Sequence, residues 1–279
     1  MTDTGQILRT VPENFDSQAV AEIDLRLTSL AADHNVSIIW AIESGSRAWG
    51  FPSPDSDYDG RFIYVRSLDQ YLSPWQPRDV IEMPIEGDMD VNGWDLGKAI
   101  KLMLRGNAVV VEWLQSPIVY RGNQKFRDDM LQLAETCADR LNSMSHYFHL
   151  GTQQWQRFLA LGNEAPAKKL FYAARPALCL RWLRVHPYRN VPPMHFQTLL
   201  QEAETPILII QNFERLVRAK AASRELGKTD NSLDVKAFID TEYELAKPLL
   251  DGTFRTQSLE NIEMARSLFH QMVLQSEIK

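Results

Sequence analysis

Two short apolar runs in the first quarter of the chain enclose a polar stretch that contains glycine. Residues 38–42 and 62–65 have the length and the Ile, Val and Phe content of buried strands. Between them lie a Gly-Ser turn at 45–46, a loop with two prolines, and aspartates at positions 57 and 59. The pattern predicts a strand, a loop and a second strand, with polar side chains gathered where the strands meet.

The neighbouring segments extend this unit into a sheet with flanking helices. Residues 17–34 carry apolar side chains at helical spacing, whereas residues 1–14 lack periodicity and predict a loose arm. Residues 69–77 are predicted as a loop and residues 80–83 as a strand. Residues 87–96 alternate polar with apolar side chains, which is typical of a strand with one wet face.

Asp95 closes that strand and predicts the N-cap of a helix that ends at Gly106-Asn107. Beyond residue 122, helical periodicity replaces strand alternation. The predicted helices cover residues 125–138, 139–161, 165–184, 194–203, 205–225, 232–249 and 257–276. We therefore expect an α/β (α+β) unit over residues 1–122, followed by an all-helical unit over residues 123–279.

Composition narrows the class of protein. The 44% hydrophobic and 24% charged residues are those of an ordinary globular protein. A net charge of −6 argues against broad nucleic-acid binding, although a local basic patch could still hold RNA or DNA. Two distant cysteines predict a reducing compartment. Because neither a signal-peptide pattern nor a long apolar segment occurs, we expect a cytoplasmic protein without a membrane partner.

The two aspartates of the central stretch are candidate metal ligands. Side chains two residues apart on a strand point to the same face, so Asp57 and Asp59 can converge on one hard cation. Mg²⁺ typically takes one or two carboxylates together with phosphate oxygens and water. A third carboxylate from a neighbouring strand would complete a two-metal arrangement for phosphoryl chemistry, and Asp90 is the preferred residue, with Asp88 as the alternative on the same face.

The Gly-Ser turn is the candidate phosphate site. Gly45 allows close approach of the backbone, and the amides that open the following short helix would point at an anion. The Ser46 hydroxyl would donate to a phosphate oxygen, and Arg47 would add positive charge.

A helix in the second half adds a candidate clamp. Lys169 and Tyr172, with Lys168 and Arg175 near the same face, could lie across a cleft from the aspartates and hold a triphosphate or a polynucleotide. The competing interpretation of this helix is a solvated face beside an aromatic core stripe. Its further cations are Arg181 and Arg184.

For three further charged residues, the sequence leaves two interpretations each. Glu43, at the end of the first strand, either faces the site or pairs with a nearby cation. Lys98 either reaches a phosphate or is an exposed helix lysine. Glu112 either forms a buried ion pair or takes part in catalysis.

These residues carry a resemblance to a known family. The motifs GSRAWG at 45–50 and SDYD at 56–59 resemble the Gly-Ser and Asp-x-Asp signature of the DNA polymerase β-like nucleotidyltransferases. The longer blocks NGWDLGKAIKLMLRGN, EWLQSPIVY and KKLFYAARPALCLRWL resemble the RlaP family, the RNA ligase-associated proteins. The family-level resemblance runs from about residue 35 to about residue 185.

The resemblance implies a polymerase β-like mixed sheet with flanking helices and a Mg²⁺-dependent transfer of a nucleoside monophosphate. Gly45, Ser46, Arg47 and Lys169 would bind the nucleoside triphosphate, with ATP as the first candidate. Asp57 and Asp59 would bind two Mg²⁺ ions, and Asp90 would complete the metal site and help activate the attacking hydroxyl. An RNA end, a protein or a small molecule would supply that hydroxyl. The alternatives are a catalytically silent nucleotide-binding regulator and a protein AMP-transferase of antitoxin type.

Overall fold

A six-stranded mixed sheet forms the first half of the molecule in a computed structural model that describes residues 6–162, 167–222, 233–250 and 257–276. The strand order is β1-β6-β2-β3-β5-β4, in which β3 and β5 are parallel and the other neighbours antiparallel. The strands are β1 Ile7–Thr10, β2 Val36–Glu43, β3 Tyr58–Arg66, β4 Val80–Glu82, β5 Met89–Asp95 and β6 Val119–Asn123. The fold is therefore the mixed sheet with flanking helices that the sequence predicts.

Helices flank the sheet and make up the rest of the described chain. In the first half they are α1 Ser17–Asp33, α2 Gly45–Trp49, α3 Leu68–Leu72, α4 Leu96–Leu104 and α5 Ala108–Gln115. In the second half they are α6 Gln124–Cys137, α7 Arg140–Ala160, α8 Ala167–Val185, α9 Phe196–Glu202, α10 Ile207–Ala222, α11 Leu233–Ala246 with a 3₁₀ turn at Lys247–Leu250, and α12 Leu259–Ser276. These bounds follow the predicted helices closely. Of the predicted helices, residues 165–166, 223–225 and 232 lie outside the described residues.

The sheet is apolar on both faces, because successive side chains of a strand point to opposite sides. Phe62 and Tyr64 of β3 pack with α1 on one face, whereas Ile63 and Val65 pack against α4, α5 and α6 on the other. Met272 of α12 belongs to this second cluster, so the last helix returns to the sheet. The division at residue 122 stays a prediction.

A third apolar cluster is built from the C-terminal helices and includes Phe51 of the loop after α2. The Phe51 ring stacks on that of Phe171 in α8, with ring centroids 4.7 Å apart. Lys220 of α10 is buried and donates a hydrogen bond to the Phe51 carbonyl. The helical half therefore holds the loop that leads from the Gly-Ser turn to the aspartates.

The cations of α8 form ion pairs. Arg175 is buried and donates to Glu112 at 2.7 Å. Arg181 and Arg184 donate to the two carboxylate oxygens of buried Glu242, at 2.7 and 2.6 Å. The interpretation of these arginines as a solvated face is wrong, and Arg175 does not belong to a clamp, since its buried guanidinium is already bound to Glu112.

Two local predictions are wrong. Residues 1–14 include a strand, β1, because its backbone pairs with β6. Residues 69–77 begin inside a helical turn, α3, which a capping box between Ser67 and Gln70 stabilises. The Asp95 N-cap is confirmed, since its Oδ1 accepts from the Gly97 amide at 2.8 Å. Within the described ranges, no helix is long and apolar enough to cross a membrane.

Candidate active site

Strand pairing places two of the predicted acids side by side. In the parallel pairing of β3 with β5, Asp59 lies directly opposite Asp90. Paired residues of adjacent strands project to the same face, so both carboxylates lie on one side of the sheet. Asp57 immediately precedes β3 and is exposed. The three acids therefore lie at the start of two neighbouring parallel strands.

Asp88, the alternative third acid, occupies a different position. It lies in the exposed turn before β5, and its carbonyl accepts from the Tyr58 amide at 2.7 Å. If the register is continued by one residue, Asp88 falls opposite Asp57, which precedes β3, whereas Asp90 lies opposite Asp59 within the strands. The geometry favours Asp90 over Asp88, although the role of neither residue is tested.

An arginine that the sequence reasoning missed lies between the two paired acids. Arg61 Nη2 donates to Asp59 Oδ1 at 2.9 Å and to Asp90 Oδ2 at 2.7 Å. The side chain is only 15% exposed. The signal was available, because Arg61 follows Asp59 by two residues on a strand and must therefore share its face.

Gly45 brings the backbone of the Gly-Ser turn against Asp59. Its φ is +61°, and a Cβ at this position would lie 2.1 Å from Asp59 Oδ2. The Ser44 amide donates to the Asp59 carbonyl at 2.9 Å, which fixes the turn to β3. Only glycine combines this backbone conformation with so close an approach to a carboxylate.

Ser46 and Arg47 brace the loop that carries Asp57. The buried Ser46 hydroxyl donates to the Ser56 hydroxyl at 2.9 Å. Arg47 donates to the carbonyls of Ser56 and Asp57 at 2.6 and 3.1 Å, and its guanidinium lies 3.9 Å from the centre of the Tyr58 ring. Both residues are thus engaged with the protein beside the acids. Direct contact of either with a phosphate stays a prediction.

Glu43 lies directly beneath the site and is completely buried. Its Oε1 accepts from the Asp59 amide at 2.9 Å, and its Oε2 accepts from the Tyr120 hydroxyl at 2.7 Å. Burial raises the pKa of Glu43 to about 7, although both hydrogen bonds act in the opposite direction. Glu43 therefore positions the backbone of Asp59. Of the two interpretations that the sequence left open, these contacts fit a Glu43 that faces the site.

Helix α8 approaches the acids from the helical half. Burial, followed by the negative charges of Asp59 and Asp57, raises the pKa of Tyr172 to about 12. The Tyr172 ring also meets the Trp49 ring edge-on, with centroids 5.7 Å apart. Lys169, one helical turn before Tyr172, is partly exposed and makes no hydrogen bond or ion pair with another described residue.

Two residues considered for the site are engaged elsewhere. Lys98 pairs with Asp79 at 3.0 Å, and its ammonium lies 5.9 Å from the centre of the Trp94 ring. Glu112 is the partner of Arg175, so the buried ion pair that the sequence left open for it is present.

The donor set suits a small, hard cation. In the described part of the chain, no three His, Cys, Asp or Glu side chains converge closely enough to hold an ion alone. Mg²⁺ does not need three, because one or two carboxylates with water and phosphate oxygens suffice. The close approach of Asp59 and Asp90 to one guanidinium shows that this face of the sheet binds positive charge. Asp57 and Asp59 would hold the ion.

The chain is similar to proteins of one family over most of its length. The model of the family RlaP, described as "RNA repair pathway DNA polymerase beta family", matches residues 20–269. The uncharacterized protein YcgL of Bacillus subtilis (strain 168) is 37% identical over 218 residues, which cover 78% of this chain and 83% of that protein. A solved nucleotidyltransferase-like protein from Exiguobacterium sibiricum 255-15 is 12% identical, with a TM-score of 0.31, and the match covers 91% of this chain and 79% of that one.

Proposed function

Because the chain belongs to the RlaP family, the RNA repair pathway DNA polymerase beta family, we propose that it is a Mg²⁺-dependent nucleotidyltransferase acting on RNA ends. A terminal hydroxyl oxygen of the RNA attacks the α-phosphorus of a nucleoside triphosphate. The bond from this phosphorus to the α–β bridging oxygen breaks, and pyrophosphate leaves with the negative charge. Positioning and charge neutralisation are the main tasks of the protein in such a transfer.

The observation that carries the proposal is the pairing of Asp59 with Asp90 beside the glycine turn. Asp59 and Asp90 lie side by side on neighbouring strands, and the backbone at Gly45 approaches the Asp59 carboxylate without a side chain in between. Asp57 and Asp59 would hold Mg²⁺, which when bound neutralises the phosphates and draws charge from the α-phosphorus. Asp90 would orient the attacking hydroxyl by accepting its hydrogen bond.

Helix α8 supplies the second wall of the site in this proposal. Lys169 is a partly exposed cation without a described partner, one turn from Tyr172, whose ring meets that of Trp49 in α2. We propose that Lys169 contacts the β- or γ-phosphate of ATP, where a charge-assisted hydrogen bond is strong. Gly45, Ser46 and Arg47 would form the opposite wall.

The choice of RNA as the acceptor rests on the description of the family as one of an RNA repair pathway. The experiment that tests it incubates the purified protein with Mg²⁺ and each α-³²P-labelled nucleoside triphosphate, with and without a short RNA. We expect label on the RNA and release of one pyrophosphate per label. Label on protein alone would support an AMP-transferase instead. Nucleotide binding without any transfer to RNA or protein would contradict the enzymatic proposal.

Lys169→Met is expected to weaken nucleotide binding more than it slows the chemical step. Loss of one charge-assisted contact should raise the KM for ATP about tenfold, with kcat changed less than about threefold. Steady-state kinetics over a range of ATP concentrations measure both constants.

Lys98→Met is the matched control, because it removes the same charge from a helix lysine that pairs with Asp79. Its KM for ATP should stay within about twofold of the wild-type value, because the Lys98 ammonium is bound to Asp79. Loss of such an exposed charge pair also changes the stability of the fold little. An equal rise of KM in both variants would contradict a specific role of Lys169.

A further inference from the structure

We propose that Arg61 is a permanent cation of the site, which takes the place of a second divalent ion between Asp59 and Asp90. In the absence of nucleotide, the protein then holds a single divalent ion at Asp57 and Asp59. The inference rests on the proposed function for the identity of the metal ligands and adds a residue that this function does not assign.

The guanidinium of Arg61 is held by four hydrogen bonds. Nη1 donates to the carbonyls of Gly60 and Asp90 at 3.0 and 2.7 Å. Nη2 donates to Asp59 Oδ1 and Asp90 Oδ2 at 2.9 and 2.7 Å. The four N–H groups of the two terminal nitrogens are therefore all used, in the planar fork geometry that only arginine offers.

Asp90 is engaged at both of its carboxylate oxygens. Arg61 binds Oδ2, and the Asn92 amide nitrogen lies 3.3 Å from Oδ1. Arg61 and Asn92 are themselves opposite each other in the pairing of β3 with β5. The strand register thus places a donor pair, two residue pairs further along and on the same face, against the Asp59–Asp90 pair.

Arg61 already supplies a positive charge between Asp59 and Asp90, since its Nη2 lies 2.9 Å from Asp59 Oδ1 and 2.7 Å from Asp90 Oδ2. A second ion at Asp90 would have to bind beside a fixed guanidinium and would meet like-charge repulsion.

Displacement of Arg61 by a metal ion is disfavoured by the same contacts. If the guanidinium moved away, the Gly60 and Asp90 carbonyls would each lose one hydrogen bond, in a site where the side chain is only 15% exposed. The loss of these bonds, together with the two to the carboxylates, costs free energy. Arg61 therefore stays in place when the first ion binds.

Mn²⁺ binding to nucleotide-free protein tests the proposal without measuring activity. Titration followed by electron paramagnetic resonance counts free Mn²⁺ and gives the stoichiometry and the dissociation constant. We expect one site in the wild type. Arg61→Gln removes the charge and should bind the first Mn²⁺ about tenfold more tightly, since a unit charge several ångströms away acts on a divalent ion.

Arg61→Lys separates charge from shape. Lysine keeps the positive charge but lacks the planar guanidinium that binds two acceptors at once. The Mn²⁺ affinity of Arg61→Lys should therefore stay within about threefold of the wild-type value. If Arg61 served only to hold the strands together, both variants would bind Mn²⁺ more weakly than the wild type. That result, or two wild-type sites, would overturn the inference.

Two aspartate variants keep the test decisive. Asp57→Asn should abolish measurable Mn²⁺ binding; if it binds as the wild type does, the metal site of the proposed function fails, whatever Arg61 does. Should Arg61→Gln not fold, Asp90→Asn serves instead. It should retain one Mn²⁺ per protein, because Arg61 already occupies that carboxylate, and loss of all Mn²⁺ binding in Asp90→Asn would overturn the inference.

Discussion

Asp59→Asn is expected to lower the rate of nucleotide transfer at least about a thousandfold, which corresponds to about 4 kcal/mol of transition-state stabilisation. Asp59 lies at the centre of the site: Asp90 is its strand neighbour, Arg61 binds its Oδ1, and Gly45 approaches its Oδ2. Asparagine keeps the shape and can still accept from Arg61. The change therefore removes the charge that would hold Mg²⁺.

The fold of Asp59→Asn should be intact, since the substitution also relieves repulsion between neighbouring carboxylates. Single-turnover transfer of label from α-³²P-ATP measures the loss, and circular dichroism on heating checks that the melting temperature changes by only a few degrees. A variant that folds and retains more than about a tenth of the wild-type rate would contradict the proposed metal site.

Asp88→Asn is the matched control for Asp90→Asn in the same assay. Asp88 lies in the exposed turn before β5, whereas Asp90 faces Asp59. Asp88→Asn should leave the rate within about twofold, and Asp90→Asn should lower it at least about a hundredfold, the range for a positioned acid or base. The reverse order would assign the third carboxylate to Asp88.

The parts of the site that were predictable depend on local pattern. A glycine before a short helix indicates the close backbone approach that is present at Gly45. The period of two along a strand predicts Asp57 and Asp59 on one face, which stays a prediction because Asp57 precedes β3. The choice between Asp88 and Asp90 needed the register of β3 against β5, which arises from the packing of two segments about thirty residues apart.

The errors have two physical sources. Strand β1 forms because its backbone pairs with β6, more than a hundred residues later in the chain. The local sequence pattern around β1 does not indicate this pairing. Arg175 and Arg181 look like a basic face in sequence, yet their partners, Glu112 and Glu242, lie 63 and 61 residues away. The capping box of α3 is a local signal that was present at Ser67 and Gln70 and was missed.

Gly45→Ala is expected to lower the rate of transfer at least about a hundredfold through the geometry of Asp59, an effect of the size that misplaced catalytic groups produce. The new methyl group would lie 2.1 Å from Asp59 Oδ2, well inside contact distance. Asp59 cannot rotate away freely, because Arg61 holds its other oxygen at 2.9 Å. Either the turn moves away from β3 or the carboxylate leaves its position.

Gly87→Ala separates this effect from backbone strain. Gly45 and Gly87 have almost the same φ, +61° and +59°, but no atom lies within 4 Å of a Cβ at Gly87. Gly87→Ala should lose about 1 kcal/mol of unfolding free energy, measured by urea denaturation, because alanine disfavours this conformation. Gly45→Ala should lose more, because the clash with Asp59 adds to the same strain. Only Gly45→Ala should also lose activity and Mn²⁺ affinity. Equal losses of activity in the two variants would show that strain, and not contact with Asp59, is the reason glycine is needed at position 45.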